Sequence, residues 1–327
     1  MKLIIQLPAL NEEKSITTTL AAIPQRVPGV DVQEVVVVDD GSTDKTAELA
    51  RAAGAVVVSH ERNRGVGAAF RSGILKGMDL NADIIVTIDA DGQFDPDDIP
   101  KLIAPILEGR ADFVTASRFK DPALIPEMPG TKLWGNRFMS RWVSSLTGQH
   151  FYDVSCGFRA YSRNAYMRLV LTGDFTYTHE VFLALAFAGV AIQEVPVRVR
   201  GVREHGQSRV ANNLFRYGWR TAAIILKTYR DYHPLKFFSK IAVVLGGAGL
   251  ALLVFLGGFW LRTGGFSPHK WAGFSGGFLL AMGVFFVIIG VVAEMLDRIR
   301  LAVDEALYRV RQLEREVRGR DGANGPP

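Results

Sequence analysis

The stretch Ile84-Ile85-Val86-Thr87-Ile88-Asp89-Ala90-Asp91-Gly92-Gln93 is β-branched through Ile88 and then turns abruptly acidic. β-branched side chains fit a pleated surface, so residues 84–89 are expected to form a strand. The end of that strand delivers two carboxylates and an amide oxygen to one place. Hard oxygen donors of this kind suit Mg²⁺ or Mn²⁺, and a divalent ion held there can neutralise a diphosphate. A solvated acidic turn is the plain alternative. An EF-hand loop starting at Asp89 is excluded, because Phe94 and Pro100 stand where it needs its glycine and its bidentate glutamate.

Working outward, Val35-Val36-Val37-Val38-Asp39-Asp40-Gly41-Ser42-Thr43-Asp44 repeats the pattern of a buried strand, acidic end and helix start. A carboxylate there can accept from a base N–H or a ribose hydroxyl, although a capped βα turn explains the segment equally well. Strands are expected at residues 2–7, 34–39, 56–60, 84–89 and 113–117. Helices are expected at 12–23, 43–53, 66–78 and 97–107, with Asp44 and Asp98 complementing helix N-termini. This alternation predicts an α/β fold with a mostly parallel sheet, whose ligands gather where strands end at their carboxyl edges. Three such ends carry the chemistry: Pro8-Ala9-Leu10-Asn11-Glu12-Glu13, Asp39-Asp40-Gly41-Ser42 and Asp89-Ala90-Asp91-Gly92-Gln93. Asn63-Arg64-Gly65-Val66-Gly67-Ala68-Ala69 invites a dinucleotide reading, but Phe70 occupies the third small position and no acidic partner follows in the right setting. It is read instead as a loop and helix start close to a nucleotide.

The 327 residues suggest more than one structural unit, and the composition shifts near Phe237. The single cysteine, Cys156, rules out an internal disulfide and a Cys-rich metal site. The N-terminal apolar run is too short for a signal-peptide core and is broken by Pro8, so no removed leader is expected. Residues 241–261 and 271–293 carry no charge, and at about 1.5 Å per residue each can cross a hydrocarbon core of about 30 Å. Gly246, Gly247, Gly249, Gly257 and Gly258 on the first span, with Gly273, Gly276, Gly277, Gly283 and Gly290 on the second, permit close helix contact.

The net charge is +5, and basic residues cluster before the first span at Arg209, Arg216, Arg220, Lys227, Arg230, Lys236 and Lys240. That position favours anionic lipid headgroups over nucleic acid. Arg298, Arg300, Arg309 and Arg311 follow the second span, while only Arg262 and Lys270 lie between the spans, so both termini and the catalytic part are expected in the cytoplasm. Ile299, Val303, Ala306, Val310, Leu313 and Val317 form a short heptad stripe, expected either to zip subunits into a homo-oligomer or to rest on the membrane or the enzyme domain. The expected layout is a catalytic domain over residues 1–208, a juxtamembrane amphipathic helix over 209–236, two membrane helices within 237–295, and a cytoplasmic amphipathic helix with a tail disordered from residue 319 over 296–327.

Taken together, Pro8-Ala9-Leu10-Asn11-Glu12, Val38-Asp39-Asp40-Gly41-Ser42, the Asn63–Ala69 loop and Asp89-Ala90-Asp91-Gly92-Gln93 resemble the inverting family 2 glycosyltransferases, among them the dolichol- and polyprenyl-phosphate sugar synthases. The resemblance implies a Rossmann-like, nucleotide-sugar-binding domain of the glycosyltransferase A type. Pro8, Asn11, Glu12, Asp39, Asp40, Arg64 and Asp89 would then lie at the nucleotide, while Asp89, Asp91 and Gln93 hold Mg²⁺ or Mn²⁺. Asp153-Val154-Ser155-Cys156-Gly157-Phe158-Arg159, Ser117-Arg118 and His205-Gly206-Gln207-Ser208-Arg209 match the family's acceptor-side segments. It implies that Arg118, Lys132, Arg159 and Arg209 receive the acceptor phosphate, that His205 orients acceptor or sugar, and that Asp91 is the central metal ligand.

The implied reaction moves a sugar from a GDP- or UDP-linked donor to a polyprenyl phosphate, with mannose favoured over glucose or an aminosugar. A processive polysaccharide synthase fits less well, since Phe138-Met139-Ser140-Arg141-Trp142 lacks the glutamine of its usual motif and precedes the Cys-Gly-Phe segment. A non-catalytic nucleotide-sugar sensor is the alternative of another class.

Overall fold

The computed structural model describes residues 1–169, 177–200 and 214–323. The chain divides into two compact units, Met1–Ile225 together with Tyr308–Pro327, and Leu226–Leu307.

In the first unit the expected strands are present as β1 (Lys2–Ala9), β2 (Val32–Asp39), β3 (Val56–Ser59), β4 (Ile84–Thr87) and β5 (Phe113–Ser117). Two more, β6 (Arg159–Ser162) and β7 (Ile192–Pro196), complete a seven-stranded sheet in the order β3-β2-β1-β4-β6-β5-β7. Among the described residues only β6 runs antiparallel to its neighbours. The unbroken apolar runs have a simple cause. Leu3, Ile5 and Leu7 of β1 pack into one core with Ile84 and Val86, while Ile4 packs into the other with Val36, Val38 and Ile85. Both faces of the central strands are therefore dry, as covered parallel sheets require. β6 and β7 escape this pattern: the first contains arginine and serine, and the second is a half-buried strand ending in proline.

Helices α1 (Ile16–Ala21), α2 (Thr46–Ala52), α3 (Val66–Asp79) and α4 (Ile99–Leu107) link the first strands. α3 lies very close to the sheet: a Cβ on Gly73 would come within 1.6 Å of the Gln6 amide oxygen, and one on Gly77 within 2.6 Å of Ile85 Cδ1. Gln6 Nε2 in turn donates to Thr87 Oγ1 at 2.7 Å, tying β1 to the strand that carries the acidic end. Helices α5 (Gly130–Thr147), α6 (Arg163–Met167) and α7 (Thr178–Phe187) cover the β5-β6-β7 half.

Three helices follow: α8 (Leu214–Tyr232), α9 (Pro234–Thr263) and α10 (Lys270–Ala323). The expected juxtamembrane helix over 209–236 thus ends at Tyr232, and Pro234 opens the next helix, where a missing N–H does no harm. The tail expected to be disordered from residue 319 is helical as far as Ala323. The C-terminal part of α10 belongs to the first unit. Tyr308 donates to Asn164, Arg311 donates to the carbonyls of Met167 and Leu169, and Arg315 donates to Ala82, Asn81, Tyr166 and Asp83. Asp83 also pairs with Arg163 and accepts from the Lys2 amide, so the end of α10 is clasped to the start of β1 and β4.

In the second unit α9 and α10 are each long and apolar enough to cross a membrane, and only 11% of their most apolar windows is buried. Val243, Val244, Phe274 and Phe278 are among many large apolar side chains left exposed, an arrangement that suits hydrocarbon and not water. The two helices touch through glycines. A Cβ on Gly249 would lie 2.7 Å from the Gly276 carbonyl, and one on Gly283 would lie 3.1 Å from that of Ala242. Gly247, Gly257, Gly258 and Gly277 face open space instead, so only part of the glycine set serves this contact.

Candidate functional site

One edge of the sheet collects the ends of β1, β2, β4 and β5 with the start of β6. Ala9 pairs with Asp39 and Gln6 pairs with Thr87, and extending the latter register sets Asp89 level with Pro8. On β6, Arg159 pairs with Thr87, which brings the preceding Asp153–Phe158 segment to the same edge.

The loops after β1 and β2 are stitched together. Asn11 sits in the left-handed region at φ 53°, its Oδ1 accepts from the Thr43 amide at 2.8 Å, and its own amide donates to Ser42 Oγ at 2.9 Å. The Glu12 amide donates to Thr46 Oγ1 at 2.8 Å, and the Glu12 carboxylate accepts from Ser15. These turns consume residues 11–15 and 42–45, which is why α1 and α2 begin later than the hydrophobic period suggests. Asp39 is buried and accepts from the Ser42 amide at 3.0 Å.

Asp40, for which a nucleotide contact is implied, is engaged by groups of the protein itself. Its carboxylate is 3% exposed and accepts from the amides of Arg64 and Gly65 and from His60 Nδ1 at 2.7 Å. His60 Nε2 meets Ser72 Oγ at 2.9 Å. Asp40 therefore pins the Asn63–Gly65 loop by its backbone and leaves the Arg64 side chain exposed. Close approach is built in: a Cβ on Gly41, at φ +76°, would come within 2.5 Å of the Arg62 carbonyl carbon. His60 was not legible as a partner, since nothing in the sequence links position 60 to 40 until β2 and β3 are paired.

At the end of β4, Asp89 is partly exposed and Asp91 is 3% exposed. Asp91 Oδ1 accepts from the Gln93 amide at 3.1 Å. A Cβ on Gly157 would lie 2.9 Å from Asp89 Oδ2, so a larger residue there would displace that carboxylate. Burial, and next the charge of Asp89, push the Tyr177 hydroxyl well above its ordinary pKa. Gln93 is tied to the segment after β7, its Nε2 donating to the Arg200 carbonyl, so its Oε1 is the atom left to offer a cation. Among the described residues no cluster of three or more His, Cys, Asp or Glu side chains surrounds a metal-sized point. Two carboxylates with an amide oxygen nearby fit an ion such as Mg²⁺, which takes few protein ligands and completes its shell with phosphate and water.

The cationic residues divide. Arg118 grips the fully buried Asp153 with Nε at 2.7 Å and Nη2 at 2.9 Å, and donates to Ser155 Oγ. Burial opposes ionisation of Asp153, but the Arg118 charge and the bonds it receives from Arg118 and Ser155 outweigh this and hold its carboxyl below the usual range. Ser155 Oγ also reaches Asn136 on α5, one turn beyond the exposed Lys132.

Arg159 does not face an acceptor. It is fully buried, and its guanidinium donates to the carbonyls of Cys156, Thr178 and Val154 at 2.8, 2.8 and 3.0 Å, beside the rings of Phe113 and Phe182. It holds the loop in place from inside the core. Glu194 on β7, which the sequence did not single out, accepts from the amides of Tyr152 and Asp153 and fixes the other side of that loop. His205 and Arg209 lie outside the described residues.

Residues 4–170 match the family described as "Glycosyl transferase family 2". The chain belongs to that family. Among family relatives it is 35% identical over 176 residues to the UDP-N-acetylglucosamine–dolichyl-phosphate N-acetylglucosaminyltransferase of Methanococcus voltae, covering 49% of this chain and 68% of that one. It is 28% identical over 310 residues to the undecaprenyl-phosphate 4-deoxy-4-formamido-L-arabinose transferase of Edwardsiella ictaluri, covering 90% and 88%. A solved structure of glucosyl-3-phosphoglycerate synthase from Mycobacterium tuberculosis, in complex with Mn²⁺, UDP and glucosyl-3-phosphoglycerate, superposes with a TM-score of 0.56 at 25% identity, covering 69% and 79%. The sheet and its edge are thus those of a family 2 glycosyltransferase, and the chain is an enzyme of that kind.

Proposed function

We propose that the chain transfers a sugar from a nucleoside-diphosphate donor to a polyprenyl phosphate, with inversion, at the cytoplasmic face of a membrane. The observation that carries this reading is the gathering of Asp39, Asp89 and Asp91 at one sheet edge in a chain that also holds two membrane-length apolar helices. The relative from Edwardsiella ictaluri, which acts on undecaprenyl phosphate by its name, matches along nine-tenths of the chain and so through these helices. Basic residues flank the helix pair on the side of the termini and are sparse between the helices, which supports the cytoplasmic placement.

In this reading Pro8, Asn11, Glu12 and Asp39 hold the nucleoside, and Asp40 shapes the loop around it. Asp89 and Asp91, with Gln93 Oε1, would hold Mg²⁺ or Mn²⁺, which supplies charge neutralisation for the departing diphosphate. Lys132 and Arg209 receive the lipid phosphate, with His205 orienting it, while Arg118 brings positive charge to the acceptor side from its clamp on Asp153. A bond forms between a phosphate oxygen and the anomeric carbon as the bond from that carbon to the diphosphate oxygen breaks. The phosphate is already ionised at neutral pH, so positioning and charge stabilisation replace a strong general base. UDP-linked donors rank ahead of the mannose donor favoured from sequence, because the Methanococcus voltae relative and the Mycobacterium tuberculosis structure are both named with UDP.

The test is a panel of radiolabelled nucleotide-sugars offered to membranes containing the protein and polyprenyl phosphate. One label should enter the organic-soluble lipid fraction. Binding of nucleotide with no labelled lipid from any donor would favour the sensor instead.

A further inference from the structure

The clasp described above uses one side of α10 and leaves another bare. Tyr308, Arg311 and Arg315 recur at steps of three and four and all turn toward the first unit. The heptad stripe does not. Ile299, Val303, Val310, Leu313 and Val317 are between 49% and 62% exposed, and Ala306 is exposed as well. In heptad notation Val303, Val310 and Val317 take position a and Ile299, Ala306 and Leu313 take position d, whereas the clasp residues Tyr308 and Arg315 take f and Arg311 takes b. The helix is held on its back with its seam turned outward.

We propose that this seam is one half of a parallel, two-stranded coiled coil between two copies of this chain. Three features select that occupant. Valine fills all three a positions, a choice that favours two strands, and one of the three d positions, Leu313, carries the leucine that goes with it. Charge agrees with the parallel direction: Arg309 at g stands five residues before Glu314 at e, the spacing at which g of one strand faces e of the next. Finally, the same helix α10 includes a stretch long enough to cross a membrane, and insertion in one bilayer holds two copies in the same topology. A zipper of this length is marginal between free chains in water, but confinement to one membrane raises the effective concentration enough to close it.

Single cysteines in the full-length protein, in membranes, test this with little background, because the native Cys156 is buried and its thiol is pushed up to about 12. Val303→Cys, Val310→Cys and Val317→Cys should each form a disulfide-linked dimer under mild oxidation, while Gln312→Cys at position c should not. Arg309→Glu added to Val310→Cys should cut the yield several-fold, and Arg309→Glu with Glu314→Arg should restore it. Cross-linking at the three a positions no better than at Gln312→Cys overturns the proposal. So does cross-linking at only one of the three, which is the signature of an antiparallel pair. Neither outcome bears on sugar transfer, which is measured separately on the same variants.

Discussion

The two halves of the sheet treat their charged residues in opposite ways. In the β3-β2-β1-β4 half, Asp39, Asp89 and Asp91 stand at strand ends, where Asp39 and Asp91 accept from backbone amides of their own turns. In the β6-β5-β7 half, Arg118 is locked to Asp153 and Arg159 is swallowed by the core. A short carboxylate after a parallel strand is delivered to the carboxyl edge by the backbone itself. A long guanidinium on a strand or loop goes wherever its register and packing send it, and one face of every strand here is core. The motifs therefore locate Asp39, Asp89 and Asp91 at the sheet edge but do not foretell the burial of Arg159.

The largest expected effect separates the halves most sharply. Asp91→Asn keeps the shape of the side chain and an oxygen for the Gln93 amide, so thermal unfolding should shift little, while turnover with Mg²⁺ or Mn²⁺ falls by at least about a hundredfold. Turnover within a few-fold of the native enzyme would remove the acidic edge from the mechanism. Arg159→Met should do the reverse. Three buried carbonyls lose their donor, at a cost of about 3–5 kcal/mol, while the folded fraction keeps its KM for the lipid acceptor. An intact melting curve with a raised acceptor KM would instead put Arg159 back at the phosphate.

The same contrast explains what could be read before the structure. β1 to β5 and the acidic ends were legible because both faces of those strands are buried and the side chains spell that out. β6 and β7 were not, since Arg159 is paid for by carbonyls distant in sequence and Glu194 by the amides of residues 152 and 153. Asp40 looked like its neighbour Asp39 in sequence, and only the pairing of β2 with β3 reveals His60 beside it. The membrane-length helices were legible from charge-free length alone, whereas which glycines touch depended on how the helices face each other.

The smallest effect is a pH dependence, and it belongs to the second half. His179 on α7 is 1% exposed; burial, reinforced by the Arg159 charge, lowers its pKa to about 3, against 6.5 for the free side chain. The folded protein therefore keeps His179 neutral while the unfolded chain protonates it. Its contribution to stability is complete above pH 6.5 and is lost as pH falls toward about 3, at up to about 1.4 kcal/mol per pH unit. Asp153, also depressed, loses its contribution only at lower pH, below the ordinary carboxylate range. Glu194, raised by burial, acts with the opposite sign but is common to native and variant proteins. Chemical denaturation of the native enzyme and of His179→Asn at pH 7 and at pH 5.5 isolates the histidine: the native protein should lose about 1 kcal/mol more than the variant across that interval. Equal losses would mean that His179 is protonated in the folded state, and that the core around Arg159 admits a second positive charge.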